Sequence, residues 1–294
     1  MPSRQSAPTP KASWQFDAIG TRWAIETVSP LSDSLRREMS DRIAAFDTVY
    51  SRFRPDSLVR RVATVAGEYV FPPDSVTLMS LYRQLYGITS GAVTPLVGST
   101  LEALGYDETY SFQTKTPASV PLWDDVMKWD GNILTTTQPV VLDVGAAGKG
   151  YLVDIIGQLL EDDGITSYVI DASGDVRHRG SEAQVIGLEH PDDPTRVIGA
   201  VRLNNQSLCA SATNRRRWGD NLHHVIDGRT SAPATDVVAT WVIADSTMVA
   251  DGLATALFFV SPDDLQSLGS FQFVRMFGSG EVEYLLEDVG ELFV

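Results

Sequence analysis

The chain has 294 residues, 43% of them hydrophobic and 21% charged, which is the composition of a globular protein and excludes a disordered or fibrous one. Asp and Glu number 38 against 23 Lys and Arg, so the formal charge is −15. That charge opposes binding to nucleic acids and to anionic membrane surfaces. An anionic ligand would therefore need a metal ion, a helix terminus or a few well-placed cations nearby.

The cysteine count and the N-terminal segment narrow the class of protein further. Cys209 is the only cysteine, which excludes an internal disulfide and a thiolate metal site within one chain. No run of 18 apolar residues is present to span a bilayer. The N-terminus has neither the apolar segment of a secretory signal nor a cysteine for a lipid anchor, so a cytoplasmic location is expected. We expect a flexible tail over residues 1–13 and one domain over residues 14–294.

The first half of the sequence mixes strand and helix patterns. Residues 16–28 are β-rich, and Gly20-Thr21 lies where a bulge or a close approach to a ligand is expected. Apolar spacing predicts a helix over residues 32–53 and a second one after Asp74. Short strands and turns follow, with Asp130-Gly131 as a hairpin turn.

The second half begins with a strand and a glycine-rich turn over residues 140–150, followed by a helix over 150–163. Further strands are predicted over 165–170, 185–190, 197–203 and 237–244. A last helix is predicted over 246–260, capped by Asp245 or Ser246. Because strands and helices mix without strict βαβ alternation, the pattern favours an α+β fold over a doubly wound sheet.

The glycine-rich turn is the first candidate for ligand binding. Gly145, Gly148 and Gly150 let the backbone approach a ligand closely, and Lys149 lies at a helix start, where phosphates bind favourably. The spacing matches neither a Walker loop nor the G-x-G-x-x-G motif. An ordinary glycine-rich turn and a phosphate site are equally good interpretations.

Asp251 and Thr255 are a candidate metal pair. Their i, i+4 spacing in the last predicted helix places a carboxylate and a hydroxyl on one face, one turn apart. Both are hard oxygen donors of the kind Mg²⁺ or Ca²⁺ prefers, and Mg²⁺ usually takes one or two carboxylates with substrate phosphate. The alternative is a polar pair beside a packing face of small residues, where Gly252 would be needed for close contact.

A histidine doublet is the third candidate. Adjacent residues of a strand point to opposite faces, so we predict that His224 faces a site and that His223 is exposed or structural. His224 and Asp227 would supply a base and a carboxylate, and Arg229 a phosphate contact. A polar turn between strands is an equally good interpretation. The run Arg215–Arg217 is interpreted as a solvated turn.

The order of these motifs resembles the ApbE family of flavin transferases. The matching elements are Gly20-Thr21, S-x-F-x-x-x-S at Ser51, Phe53 and Ser57, D-x-G-A-x-x-K-G-Y-x-x-D from Asp143 to Asp154, S-x-G-D from Ser173 to Asp175, H-x-I-D-x-R-T from His224 to Thr230, and A-D-x-x-x-T from Ala250 to Thr255. The resemblance covers about residue 16 to the C-terminus. It implies mixed, mainly antiparallel sheets with flanking helices.

The resemblance also implies an activity. Such enzymes bind FAD with Mg²⁺, transfer the FMN half to a threonine hydroxyl of an acceptor protein and release AMP. Some members mainly hydrolyse FAD to FMN and AMP, and a flavin-binding protein without turnover is the alternative from another class. Nothing in the sequence identifies the acceptor protein.

Roles for individual residues follow from the same resemblance. The metal would be held by Asp251, Thr255 and the backbone carbonyl of Ala146 or its neighbour. The flavin would pack on Phe53, and His224, oriented by Asp227, would act near the acceptor hydroxyl. The remaining FAD contacts are expected at Gly20, Thr21, Gly145, Lys149 and Arg229.

The chain departs from the family pattern at several positions near the expected nucleotide pocket. Ile19 stands where the family often has Met, and Thr94 where it often has Asp. Ala212 replaces a glycine, and Gly228 replaces a proline. The metal pair is intact, which favours a lineage variant over an inactive copy.

Overall fold

The computed structural model describes residues 12–219 and 222–293. The helices are α1 (Asp33–Tyr50), α2 (Leu58–Val62), α3 (Ser75–Ile88), α4 (Gly98–Ala103), α5 (Trp123–Val126), α6 (Gly148–Asp162) and α7 (Thr247–Ala256), with 3₁₀ turns at Pro95–Val97 and Pro262–Leu268. Among the described residues, no helix combines the length and the apolar character needed to cross a lipid bilayer.

The strands form one large sheet and several small ones. They are β1 (Ala12–Ala18), β2 (Thr21–Thr27), β3 (Glu68–Val70), β4 (Met127–Asp130), β5 (Ile133–Thr136), β6 (Tyr168–Asp171), β7 (Asp175–Arg179), β8 (Gln184–His190), β9 (Asp193–Leu203), β10 (Ser207–Ala212), β11 (Arg217–Trp218), β12 (Leu222–His223), β13 (Ile226–Asp227), β14 (Ala232–Pro233), β15 (Val237–Ala244), β16 (Gln272–Phe277), β17 (Val282–Leu285) and β18 (Gly290–Leu292). Eight strands build the large sheet in the order β1-β2-β6-β7-β10-β15-β16-β17, and every neighbouring pair is antiparallel. The predicted α+β class with mainly antiparallel sheets is confirmed.

The large sheet is covered on both faces. Helices α1, α3, α6 and α7 pack against one face and share its main apolar core. The small sheet β18-β9-β8 packs against part of the other face. Strand β15 shows the alternation directly, because Val242 and Ala244 join the helical core while Trp241 and Ile243 join the second core. A strand buried on both faces is continuously apolar, as the sequence of β15 is.

Several predicted boundaries differ from the structure, and the helix predicted over residues 246–260 ends at Ala256. Strand β1 begins at Ala12, inside the tail predicted over residues 1–13, and the rest of that tail lies outside the described residues. The turn between β4 and β5 is Gly131-Asn132, because Asp130 still pairs with Ile133.

The predicted bulge at Gly20-Thr21 is wrong, because a tight hairpin turn occupies this position. Ala18 pairs with Thr21, leaving Ile19 and Gly20 as the two turn residues. Both have left-handed φ values, 45° and 76°, as a type I′ turn requires. A β-branched residue such as Ile19 rarely adopts this conformation, and it does so here beside the cleft described below.

Candidate active site

Helices α6 and α7 are in unusually close contact at Gly150. A Cβ on Gly150 would lie 2.3 Å from the carbonyl oxygen of Thr247 and 2.8 Å from Cβ of Asp251. The Gly150 N–H donates to Oδ2 of Asp251 at 2.9 Å. The sequence predicted that Gly150 lets a ligand approach the backbone, but the space left by its missing side chain is occupied by α7. Gly150 thereby fixes the carboxylate of Asp251.

The three predicted metal ligands lie together. Oγ1 of Thr255 donates to the carbonyl oxygen of Ala146 at 3.4 Å, and the hydroxyl of Tyr82 accepts from the Ala146 N–H at 3.1 Å. Ala146, Asp251 and Thr255 all line one cavity of about 440 Å³, which we call the metal-side cavity. Its donor set of carboxylate, hydroxyl and carbonyl oxygens suits Mg²⁺, which commonly binds through one carboxylate and completes its shell with waters and phosphate.

The electrostatics of this region support a cation. Asp251 and Asp175 are both buried, and burial together with the charge of Asp175 raises the pKa of Asp251 well above its usual range. One nearby cation, Lys149, lies with Nζ 2.6 Å from Oδ2 of Asp175 and also donates to the carbonyl oxygen of Ala172. The positive charge of Lys149 therefore compensates the carboxylate of Asp175. A divalent ion would supply a compensating positive charge beside the carboxylate of Asp251.

This arrangement differs from the predicted role of Lys149. Its side chain lines the cleft but is bound to Asp175 and Ala172, rather than free for a pyrophosphate. The reason is tertiary, because β7 brings a buried carboxylate beside the start of α6. Gly20, Thr21 and Gly145 do line the metal-side cavity as predicted.

A second cavity of about 690 Å³ adjoins the first, and we call it the aromatic cavity. The two share lining residues, including Gly20, Gly145 and Lys149, so they form one continuous cleft. Aromatic side chains and four arginines line the second cavity, among them Phe53, Tyr106, Tyr110, Phe112, Trp218, Arg52 and Arg216.

Phe53, the predicted flavin contact, lies in the aromatic cavity, and its ring already contacts other side chains. The ring is nearly parallel to that of Tyr110, at 6° and 5.4 Å between centroids, and the Arg52 guanidinium lies 4.2 Å from its centroid. Arg52 is itself fixed, because its Nε donates to Asp143 at 2.6 Å and its Nη1 to the carbonyl oxygen of Tyr106 at 2.8 Å. Sequence analysis missed Tyr106 and Tyr110, which belong to no motif.

Asp227 and Arg229 lie as the alternative interpretation, a polar turn between strands, predicts. Arg229 donates from Nε and Nη2 to the Asp227 carboxylate at 3.0 and 2.7 Å, and Asp227 also accepts from the Arg229 backbone N–H. Neither residue lines the cleft, and no hydrogen bond between described residues joins Asp227 to His224. The two residues close their own turn, which Gly228 anchors through a hydrogen bond from its N–H to the carbonyl oxygen of Ala92.

The arginine run also differs from its predicted role as a solvated turn. Arg215 and Arg216 line both cavities, and Arg215 is paired with Glu189 at 3.0 Å. Over the ranges that the structure describes, no carboxylate lies within ion-pair distance of Arg216, whose guanidinium lies 5.9 Å from the Tyr106 ring centroid. Arg216 is thus an arginine of the cleft that can bind an anion. The charge of −15 was the signal that a local cation was needed.

The two histidines of the doublet have different environments, as predicted. His223 is buried, its Nε2 lies 2.9 Å from the carbonyl oxygen of Ala234, and its Nδ1 accepts from the Val225 N–H. His224 lines the metal-side cavity. Burial and the adjacent charge of Arg216 lower the pKa of His224 to about 3, so the ring is neutral at physiological pH.

The low pKa of His224 predicts a specific acid sensitivity. The unfolded chain binds a proton at His224 near pH 6.5, while the folded chain binds it only near pH 3, so folding stability is full above the first value and is lost as pH falls toward the second. His224→Gln removes this proton uptake and should flatten the fall in stability between about pH 6.5 and about pH 4. Urea unfolding of both proteins across that range measures it. Parallel stability curves would show that His224 titrates normally in the fold.

The fold is that of solved flavin transferase structures. The Vibrio cholerae flavin transferase ApbE superposes with a TM-score of 0.78 at 20% identity, covering 96% of this chain and 98% of that chain. The ApbE protein of Thermotoga maritima gives 0.80 at 22% identity, with 94% and 97% covered. The ApbE family model matches residues 19–273, and the chain therefore belongs to the ApbE family.

Two curated relatives have the same name, FAD:protein FMN transferase. A Rhodobacter capsulatus FAD:protein FMN transferase is 27% identical over 290 residues, covering 92% of this chain and 55% of that protein. A Klebsiella pneumoniae protein of the same name is 24% identical over 275 residues, covering 85% and 79%. The chain thus spans about half the length of the first relative and over three quarters of the second.

Proposed function

We propose that this protein is a Mg²⁺-dependent FAD:protein FMN transferase, which moves FMN to a threonine hydroxyl of an acceptor protein and releases AMP. The observation that carries the proposal is the meeting of the Asp251 carboxylate, the Thr255 hydroxyl and the Ala146 carbonyl in a cavity that opens into an aromatic one. Family membership and the names of the relatives support it.

Asp251, Thr255 and Ala146 would hold the metal ion. When bound, Mg²⁺ neutralises charge on a pyrophosphate and stabilises the leaving AMP. The raised pKa of the Asp251 carboxyl, caused by burial and by Asp175, marks a position where a cation is electrostatically favoured. The donor set therefore fits the ion.

The protein's own groups would bind and orient FAD along the cleft. The aromatic cavity offers ring faces for a flavin, and Arg216 lies where the two cavities meet, within reach of a pyrophosphate. The neutral ring of His224 is suited to hold the acceptor hydroxyl by a hydrogen bond, whereas its pKa of about 3 makes it a weak proton acceptor. Asp227 has no part in this step, because Arg229 occupies its carboxylate.

One incubation separates the three candidate activities. The protein is mixed with FAD, Mg²⁺ and a candidate acceptor protein, and the acceptor is weighed by mass spectrometry while the nucleotides are separated by chromatography. An acceptor heavier by one FMN, with AMP released, is the expected result. Free FMN and AMP with an unmodified acceptor would establish an FAD pyrophosphatase, and intact FAD a binding protein without turnover. Either of these would overturn the proposal.

Phe53→Ala should weaken FAD binding. An aromatic contact contributes about 0.5–1.5 kcal/mol beyond the buried area, which corresponds to about a two- to twelvefold loss of affinity. Quenching of flavin fluorescence measures the dissociation constant. Phe293→Ala is the matched control, because Phe293 is exposed and lies outside the cleft residues. Equal affinities for both variants and the parent would remove Phe53 from the binding site.

A further inference from the structure

Asp154 ends the longest motif of the sequence, yet it lines neither cavity of the cleft. Its carboxylate accepts three hydrogen bonds from the start of α7. Oγ of Ser246 donates at 2.7 Å, and the N–H groups of Thr247 and Met248 donate at 3.0 Å each. The first amides of a helix have no partner within it, so a carboxylate there stabilises the helix and complements its dipole. Asp154 therefore caps α7 from another helix.

The Asp154 carboxylate also forms an ion pair with an arginine of β7. Nη1 of Arg177 lies 2.7 Å from its Oδ1. Arg177 is in turn fixed, because its Nε donates to the hydroxyl of Tyr168 at 3.0 Å and its Nη2 pairs with Glu161 at 3.2 Å. Asp154 is thus a rigid point of attachment rather than a mobile surface carboxylate.

Three contacts join α6, with the turn that precedes it, to α7 at intervals of four residues. Asp154 binds the N–H of Thr247 at 3.0 Å, Gly150 donates to Asp251 at 2.9 Å, and Thr255 donates to the carbonyl oxygen of Ala146 at 3.4 Å. A step of four residues is close to one helical turn, so the contacts follow a single line along the antiparallel pair. The last two include all three proposed metal ligands, and the first is the only one that lies outside the cleft.

We propose that Asp154 is a positioning residue for the metal centre: it fixes the register of α7 on α6, so that Asp251 and Thr255 reach the Ala146 carbonyl. The inference rests on the proposed metal-dependent function. Metal–oxygen distances are tolerated within about 0.2 Å, whereas one residue of sliding moves a helix by about 1.5 Å. A small loss of register therefore weakens metal binding even where the fold persists.

The test measures metal binding directly, without FAD. Mn²⁺ accepts the same oxygen donors as Mg²⁺, and electron paramagnetic resonance reports its free concentration. Asp154→Ala should weaken Mn²⁺ binding by about tenfold or more, the loss seen when groups that orient metal ligands are removed. Asp154→Asn should fall between the parent and the alanine variant, because its carboxamide oxygen still accepts from one α7 amide.

A remote helix cap provides the matched control. Ser32 caps α1 by accepting from the Leu35 N–H at 3.2 Å, and α1 supplies none of the metal ligands. Ser32→Ala should lower the thermal midpoint and leave the Mn²⁺ dissociation constant unchanged. If both Asp154 variants lower the midpoint yet bind Mn²⁺ like the parent, Asp154 is only a cap and the inference is wrong.

A failure of the underlying function gives a different result. If the parent protein binds no Mn²⁺, or binds it equally well after Asp251→Asn, the metal site is not at Asp251. The main observation that supports the proposed function is then wrong. If the parent binds Mn²⁺ through Asp251 but Asp154→Asn and Asp154→Ala do not weaken it, only the positioning role is overturned. Should Asp154→Ala not fold, the same comparison is made with Asp154→Asn.

Discussion

Asp251→Asn will reduce FMN transfer by at least about a hundredfold and remove its dependence on Mg²⁺. The substitution keeps the shape of the side chain and an oxygen that can accept from the Gly150 N–H, but it removes the only charged metal ligand that we assign. Because burial raises the pKa of Asp251, its neutral replacement should leave the fold at least as stable. Transfer rates across a Mg²⁺ titration, with urea unfolding of each protein, measure both effects.

Two further variants sharpen this prediction. Asp245→Asn is the matched control, because Asp245 is exposed and immediately precedes the capped start of α7, and it should transfer FMN like the parent. Thr255→Ala should have a smaller effect than Asp251→Asn, since a water can replace a neutral oxygen in an octahedral shell. Wild-type activity and an unchanged Mg²⁺ titration in Asp251→Asn would refute the site assignment.

Arg216→Gln should weaken FAD binding by about ten- to a hundredfold, because hydrogen bonds to charged groups contribute about 1.5–3 kcal/mol. Arg216 lines both cavities and faces no described carboxylate at ion-pair distance. Arg229→Gln provides the contrast, since Arg229 is occupied by Asp227 outside the cleft. It should leave FAD affinity unchanged at a modest cost in stability.

The same two variants decide which arginine contacts the phosphate, the one predicted from the sequence or the one that lines the cleft in the structure. The sequence pattern around His224 predicted a phosphate contact at Arg229, while the folded chain presents Arg216 in the cleft. Calorimetric titration with FAD measures both affinities. A large loss in Arg229→Gln with none in Arg216→Gln would restore the sequence-based assignment and contradict the present one.

Local spacing predicted several of the side chains that line the cleft. The i, i+4 relation of Asp251 and Thr255 depends only on a helix forming, and the apolar period of α7 made that helix predictable. Strand alternation was the wrong reason for separating His224 from His223, because β12 ends at His223, although His224 does line the metal-side cavity. The helical spacing is set by residues close in sequence, so no knowledge of the tertiary fold was required.

The unpredicted features depend on which distant segments meet. Lys149 is drawn to Asp175 because β7 passes beside α6, and Arg216 reaches Tyr106 across more than a hundred residues of chain. For Lys149 and Arg216, pattern and spacing do not reveal the partner. Asp227 is the exception, because Arg229, only two residues away, binds the carboxylate that was assigned to His224.

A crystal structure of the protein with FAD and Mn²⁺ would locate the metal ion directly. We expect one strong anomalous peak about 2 Å from the Asp251 carboxylate, the Thr255 hydroxyl and the Ala146 carbonyl, with the FAD pyrophosphate completing the shell. A bound FAD with the Mn²⁺ peak away from these three oxygens would contradict this expectation.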